Sequence, residues 1–310
     1  MYLILVTYAL VTLYPFLWTV SASFKTYAEI TGGVGLLPAA PTLANYIKLF
    51  LVDPLFPRWV VNSFGIAIVG TCINVVLNSM AGYSLARVSF RGRNAVFYAL
   101  LAAMAIPGQV LLIPNYMLIH RQGRQDSYGA TLLPGAVTLS YIFFMRQYFM
   151  NFSKEVEEAA SIDGLSRYGT FFRISIPLAR PAIATQATFV FLSFWNEFTR
   201  PMLYLKREAL FTLPLGIQRS QSKYAGITQW NEVLTASVVS ILPIVVIYII
   251  LNRYLMQGGR QEGGKEGAGV KLTRTSQAVY GKNWVSSHRI CEMSYRSARC
   301  SGSQPAPRFH

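Results

Sequence analysis

The sequence predicts an all-α, polytopic membrane protein, and three observations predict it. Charged residues make up 13% of the 310 residues and hydrophobic ones 53%, whereas a soluble domain carries about 25% charged residues. Mean hydropathy is +0.35. The charges cluster between long runs that have none. A bilayer imposes this pattern, because an Asp, Lys or Arg at the centre of an inserted helix costs about 2.5–3.5 kcal/mol. The apolar content excludes disorder over most of the length. Lys and Arg outnumber Asp and Glu 28 to 13, but their placement between apolar runs argues against a nucleic-acid partner. Cys72, Cys291 and Cys300 form no CxxC pair and no Cys/His spacing for zinc, so neither a disulfide scaffold nor a metal site is read from them.

Seven stretches of at least 16 residues lack Asp, Glu, Lys and Arg: 1–24, 30–47, 59–86, 94–120, 127–145, 181–196 and 233–252. The second carries three glycines and two prolines and reads as an ordered external loop. The other six predict membrane helices at about 1–24, 59–86, 94–119, 127–149, 181–205 and 233–253, enough to cross about 30 Å of hydrocarbon at 1.5 Å per residue. The fifth reaches that length only if its helix continues past Glu197. Val20-Ser21-Ala22 resembles a signal-peptide cleavage site, but the first segment lacks a basic flank and its apolar run is too long. A retained helix is the better reading, and the missing flank also fits a start upstream of Met1. Raw charge counting leaves the orientation open, with ten Lys/Arg in one set of loops and eight in the other. The density of Arg87, Arg91 and Arg93 favours both termini inside the cell.

Within these segments, Gly70, Asn74, Asn78 and Gly82 fall at successive i, i+4 positions, a stripe that lets helices approach and hydrogen-bond. Close packing is the plain reading, and a polar lining for a solute path is the other. Pro107-Gly108-Gln109 with Pro114 and Asn115 requires the third helix to bend or open. Pro134 and Pro243 predict interruptions of two more. Glu197, beside Asn196, is an intramembrane acid and so a functional candidate, unless it sits at the interface paired with Arg200. The candidate path residues are therefore Asn74, Asn78, Gln109, Asn115, Asn196 and Glu197.

Residues 150–181 form a hydrophilic stretch between the fourth and fifth predicted spans. Ser153 is placed to cap a helix whose first turn holds acids. Asp163-Gly164 stops it, glycine accepting the left-handed conformation of a C-terminal cap. Ser166 is placed to cap a second short helix carrying Tyr168, Phe171 and Phe172, and Pro177 and Pro181 return the chain to the membrane. Two short helices lying at the membrane face are expected.

The same stretch resembles the loop signature of the membrane permease subunits of binding-protein-dependent ABC importers. Glu158, Ala159, Ala160, Gly164, Ile174, Ile176 and Pro177 match it at the family's spacing, with Ile176 where Leu is usual. Leu13-Tyr14-Pro15-Phe16-Leu17-Trp18, Ser23-Phe24-Lys25-Thr26 and Trp195-Asn196-Glu197-Phe198 resemble the carbohydrate-uptake branch, which contains maltose-type and glycerol-phosphate-type permeases. The resemblance covers about residues 1–257, and the chain looks like the second permease of such a pair. It implies a cytoplasmic coupling helix that seats on a separate ATPase dimer, with Glu158, Ala159, Ala160, Asp163, Gly164, Ile174 and Pro177 as the coupling loop. It also implies a homologous permease partner, an extracellular or periplasmic solute-binding protein, and a multi-pass place in the lipid of the cell membrane. The ATP and Mg belong to the partner, since this chain has no GxxxxGK[ST] phosphate loop and needs no cofactor of its own. A permease for a non-sugar solute stays open. A membrane-embedded enzyme is disfavoured, because no HExxH, Ser/Lys or paired-carboxylate constellation falls in the membrane segments.

Residues 258–310 are polar, rich in Gly and Ser, and without periodicity, which reads as a basic disordered tail. Permeases of the branch usually end soon after such a Gln257-Gly258. The tail either contacts anionic headgroups, regulates assembly, or is a translated alternative frame, and the last is favoured.

Overall fold

Apolar helices dominate the chain, and among the described residues there is no strand. The computed structural model describes residues 2–33, 35–221 and 228–250; the predicted tail, 258–310, lies outside them, as do residues 251–253 of the last predicted span. Among the described residues three helices are long and apolar enough to cross a membrane: α1 (Tyr2–Ala22), α2 (Leu55–Arg87) and, last of them, Trp230–Ile250. The 33 residues of α2 extend about 50 Å, so this helix outruns the hydrocarbon core at one end or both.

The other predicted spans are broken. Residues 94–119 become α3 (Arg93–Met104) and α4 (Leu112–Arg121) around an interruption at 105–111 that holds Pro107-Gly108. Pro114 lies in the first turn of α4, where a missing N–H has no helical partner to lose. Residues Tyr128–Gly135 and α5 (Leu139–Met150) meet at a bend of 46°, with Pro134 in the 3₁₀ turn Leu133–Gly135. The expected continuation past Glu197 does not form one helix: α7 (Arg180–Trp195) ends, and α8 (Thr199–Tyr204) begins after Phe198. Between α5 and α7 lies α6 (Lys154–Ile162), and α9 (Leu213–Gln221) follows α8. One expected interruption is corrected, because Pro243 lies inside α10 (Trp230–Ile250) without breaking it. Proline removes one backbone bond, and bilayer helices tolerate this where a neighbour re-satisfies the freed groups. The carbonyl left without its amide is that of Val239; the Trp195 indole donates to the next one, Ser240 O, at 3.0 Å and ties α10 to α7.

Helix α2 is the spine of the bundle. One end of it packs Phe56, Trp59, Ile66 and Ala67 against Val190, Phe191, Phe194 and Trp195 of α7 and Leu213 and Leu215 of α9. The other end packs Tyr83 against Met145 and Phe149 of α5 and Phe171. Small residues set these approaches: a Cβ on Gly70 would lie 2.7 Å from the Phe194 ring, and one on Gly82 would lie 2.8 Å from Met145 Cβ and 2.9 Å from Arg146 N. By contrast, most side chains of α1 are exposed along its length; its apolar face requires lipid or another subunit. Residues 30–47, read as an ordered loop, contain part of one short helix (Tyr27–Gly32) and another (Ala44–Ile47). Asn45 holds this loop: its amide donates to Ser23 O (2.9 Å) and Lys25 O (2.8 Å) and its oxygen accepts from Asn231 of α10 (2.8 Å).

Candidate functional site

The hydrophilic loop after α5 folds as two short arms under the end of α2. Ser153 has extended backbone, and its Oγ accepts the Glu155 amide at 3.2 Å, relieving one of the amides a helix start leaves unpaired. Glu155 and Glu157 lie in the first turn of α6, where carboxylates favour the positive end of the helix. Gly164 has φ +77°, the left-handed conformation that lets the Leu165 amide turn back to Ala160 O at 3.0 Å and end the helix. The second arm starts at Ser166, whose Oγ accepts the Gly169 amide at 3.2 Å. It runs longer than expected, through Arg167–Thr170, a π-turn at Phe171–Ser175 and Ile176–Leu178. Ile174 and Pro177 thus lie on this second arm.

Helix α6 has two faces. Ala160 is buried and Glu157 half-buried against the bundle. Glu155, Glu158, Ala159 and Ile162 are all exposed, at the i, i+3, i+4, i+7 spacing of one helical stripe. Ile162 is 86% exposed. Asp163 and Gly164 are exposed beside it. Ala159 and Ile162 thus form a small exposed apolar pair with the Glu155 and Glu158 carboxylates beside it.

The amides singled out inside the bundle behave differently. Asn74 donates to Gly135 O (2.9 Å) and Thr138 Oγ1 (3.1 Å), and its oxygen accepts from Asn78 (2.6 Å) and Gln186 (3.3 Å). Asn78 in turn accepts the Thr138 amide at 3.2 Å, which satisfies a backbone group freed at the bend before α5. Both asparagines are buried and join α2, α5 and α7. The adjoining cavity, about 30 Å³ and lined by Asn74, Thr138, Tyr141, Ser193 and Arg200, has room for a single water-sized molecule. Gln109, in the α3–α4 interruption, and Asn196 are exposed, and Asn115 is half-buried; none of these joins the amide cluster. Asn196 donates to Leu192 O at 2.9 Å.

Glu197 lies at the α7–α8 break. Its Oε1 accepts the amides of Thr199 (3.0 Å) and Arg200 (3.2 Å), and its Oε2 pairs with the Arg200 guanidinium at 2.7 Å. The acid therefore satisfies the first amides of α8 and pairs with the arginine one turn on.

Three polar ties were not foreseen. Asn62 donates to Ala209 O and Phe211 O and accepts from Tyr128. Asp126, with φ +56°, accepts the amides of Lys206 (2.9 Å) and Arg207 (3.0 Å) and pairs with the Arg207 side chain at 2.5 Å. The Arg207 amide, then the Lys206 amide, and then the Arg207 side chain hold its carboxyl below the usual carboxylate range. The third is Arg87, which reaches from the end of α2 to Glu157. These partners are 66 to 149 positions apart in the chain, so no local pattern announces them. Among the described residues no group of His, Cys, Asp and Glu is arranged to hold a metal.

Apolar spans joined by a buried amide network, with an exposed amphipathic hairpin between two of them, define a multi-pass, all-α membrane protein. The family described as binding-protein-dependent transport system inner membrane component matches residues 78–260, and the chain belongs to it. An arabinooligosaccharide transport system permease protein of Halalkalibacterium halodurans is 35% identical over 253 residues, 81% of this chain and 90% of that protein. A sulfoquinovosyl glycerol transport system permease protein of Agrobacterium fabrum is 31% identical, over 79% of this chain and 86% of its own length. The fold also matches a chain from the crystal structure of a bacterial ABC transporter that imports the acidic polysaccharide alginate, with TM-score 0.74 and 25% identity over 82% of this chain and 94% of that one.

Proposed function

We propose that this chain is the membrane-spanning permease subunit of an ATP-driven importer for a carbohydrate, and that α6 is the helix by which a separate ATPase subunit drives it. The observation that carries the proposal is the outward stripe of α6, with Ile162 86% exposed and Glu158 beside it. The sugar assignment is supported by relatives named for transporting arabinooligosaccharides and sulfoquinovosyl glycerol, and by the alginate importer. Six spans then cross the membrane, with α3–α4 and α7–α8 as broken spans beside the bent pair at α5. Both termini and the α6 hairpin lie in the cytoplasm of a multi-pass cell-membrane protein.

In operation, closure of the partner's ATP-bound dimer displaces α6, and the connected helices alternate the side to which the solute path opens. Glu158 offers its carboxylate to a basic groove, Ala159 allows close approach, and Asp163-Gly164 forms the turn that carries motion into the second arm, where Ile174 and Pro177 lie. ATP and Mg are bound by the partner. The exposed faces of α1 and α10 accommodate lipid and a homologous permease, and a periplasmic or extracellular binding protein delivers the solute. Gln109, Asn115 and Asn196 remain the path candidates with accessible polar groups, whereas Asn74 and Asn78 are engaged in packing and Glu197 in its pair.

Uptake assays in a strain lacking this gene test the substrate class. Loss of labelled oligosaccharide uptake, competed by unlabelled sugar, is the expected result. Loss of amino-acid or metal-chelate uptake with sugar uptake intact overturns it.

A further inference from the structure

The side of α6 that faces the bundle carries a second set of charges. Arg87, the last residue of α2, is only 7% exposed in its side chain. Its Nε donates to Phe149 O at 3.0 Å and its Nη2 to Phe152 O, capping the end of α5. These bonds alone account for an arginine at this place. They do not account for Glu157, whose side chain is 23% exposed and whose Oε1 lies 3.4 Å from Arg87 Nε. That oxygen is buried and accepts no hydrogen bond. One turn back on α2, the Tyr83 ring packs on Phe149 and Phe171 at 5.5 and 5.1 Å. The last turn of α2 thus touches the first arm of the hairpin through Glu157 and the second through Phe171.

We propose that Arg87, Tyr83, Glu157 and Phe171 form the joint through which displacement of α6 reaches the spine helix α2, with Arg87 and Glu157 as positioning residues for coupling. The inference rests on the docking reading of α6 above. Its physical basis is the kind of bond at each point. Arg87 is fixed to α5 by hydrogen bonds to two carbonyls, so α2 and α5 move as one body. The Arg87–Glu157 contact is a charge pair without directional hydrogen bonds, and such a pair keeps its attraction through a change of angle that a bidentate pair resists. Desolvation strengthens the attraction, because little water screens it. The joint therefore holds α6 against the bundle while letting it tilt, and it lies on the face opposite Glu158 and Ile162.

The test uses the complete transporter, this chain with its ATPase and sister permease, in proteoliposomes. The readout is solute imported per ATP hydrolysed. Glu157→Gln removes the charge and keeps the side chain's size, while Arg87 retains its two carbonyl acceptors; the import ratio is expected to fall about threefold while the ATPase subunit co-purifies at the unmodified yield. Glu157→Asp is expected to recover part of the ratio. Arg87→Gln combined with Glu157→Gln is expected to lose no more than the larger single loss, as for two residues acting through one contact. An unchanged ratio in Glu157→Gln, or losses that multiply in the double variant, overturns the joint. Failure of the unmodified chain to bring down any ATPase subunit overturns the docking reading, and the joint with it.

Discussion

The approach of α2 to α5 is governed by Gly82, and replacing it measures that approach directly. A Cβ at Gly82 would lie 2.8 Å from Met145 Cβ, 2.9 Å from Arg146 N and 3.0 Å from Ile142 O. Ordinary contact between carbon atoms is about 3.5–4.0 Å, and two of these neighbours are backbone atoms that no rotamer change removes. The helices must therefore separate by roughly half an ångström or more, an overpacking that costs about 1–3 kcal/mol. Gly65, on the same helix, has nothing within 4 Å of its Cβ position. Gly82→Ala and Gly65→Ala gain the same helix propensity, so the difference between them isolates the steric cost. At about 2–4 °C per kcal/mol for a protein of this size, Gly82→Ala melts about 2–12 °C below Gly65→Ala. The assay is thermal unfolding of both variants in one detergent at one scan rate. Coincident melting temperatures would refute the packing described for this interface.

Further outcomes follow from the polar ties and the hairpin. Asn74→Leu removes four hydrogen bonds; at about 0.6 kcal/mol each inside a membrane bundle, the loss is about 2 kcal/mol, read as a lowered melting temperature. Asp126 has a depressed carboxyl in the folded chain, so its contribution is fully present above the unfolded value of about 3.9 and is lost as pH falls through the lower folded value. Stability of the unmodified chain and of Asp126→Asn should therefore differ at pH 6 and converge towards pH 3, and parallel curves would contradict the clamp. Gly164→Val places a β-branched residue at φ +77° and should impair ATPase association and uptake while leaving membrane insertion intact, as measured by co-purification and membrane fractionation.

What the sequence disclosed depended on whether the signal was local. Charge-free runs located the apolar segments because desolvation acts residue by residue. The hairpin was legible because Ser153, Gly164 and Ser166 act on their own neighbours, and because the spacing from Glu158 to Pro177 is fixed by two short arms. The α3–α4 interruption was announced by Pro107-Gly108. Pro243 misled because one lost amide bond does not break a helix that packs Ala236, Val239, Ile244 and Ile247 into the core and is tied to α7 by the Trp195 indole at Ser240 O, 45 residues away. The continuation past Glu197 failed for a local reason that the sequence underdetermined, since an acid followed by Thr199 and Arg200 satisfies itself best by capping a new helix. Arg87–Glu157, Asp126–Arg207 and Asn74–Gln186 were illegible as pairs, since only folding brings their partners together.

The measurement that bears most directly on the proposed role is site-directed crosslinking from Ile162→Cys in membranes holding the assembled transporter. Burying a side chain this exposed is worth about 1.5–3 kcal/mol, enough to make it an anchor of the partner's groove. A crosslink from residue 162 to the ATPase subunit, lost on ATPase removal and shielded from membrane-impermeant reagent added outside, is the predicted result. Labelling of that cysteine from outside the cell, with no crosslink to any ATPase subunit, would contradict it.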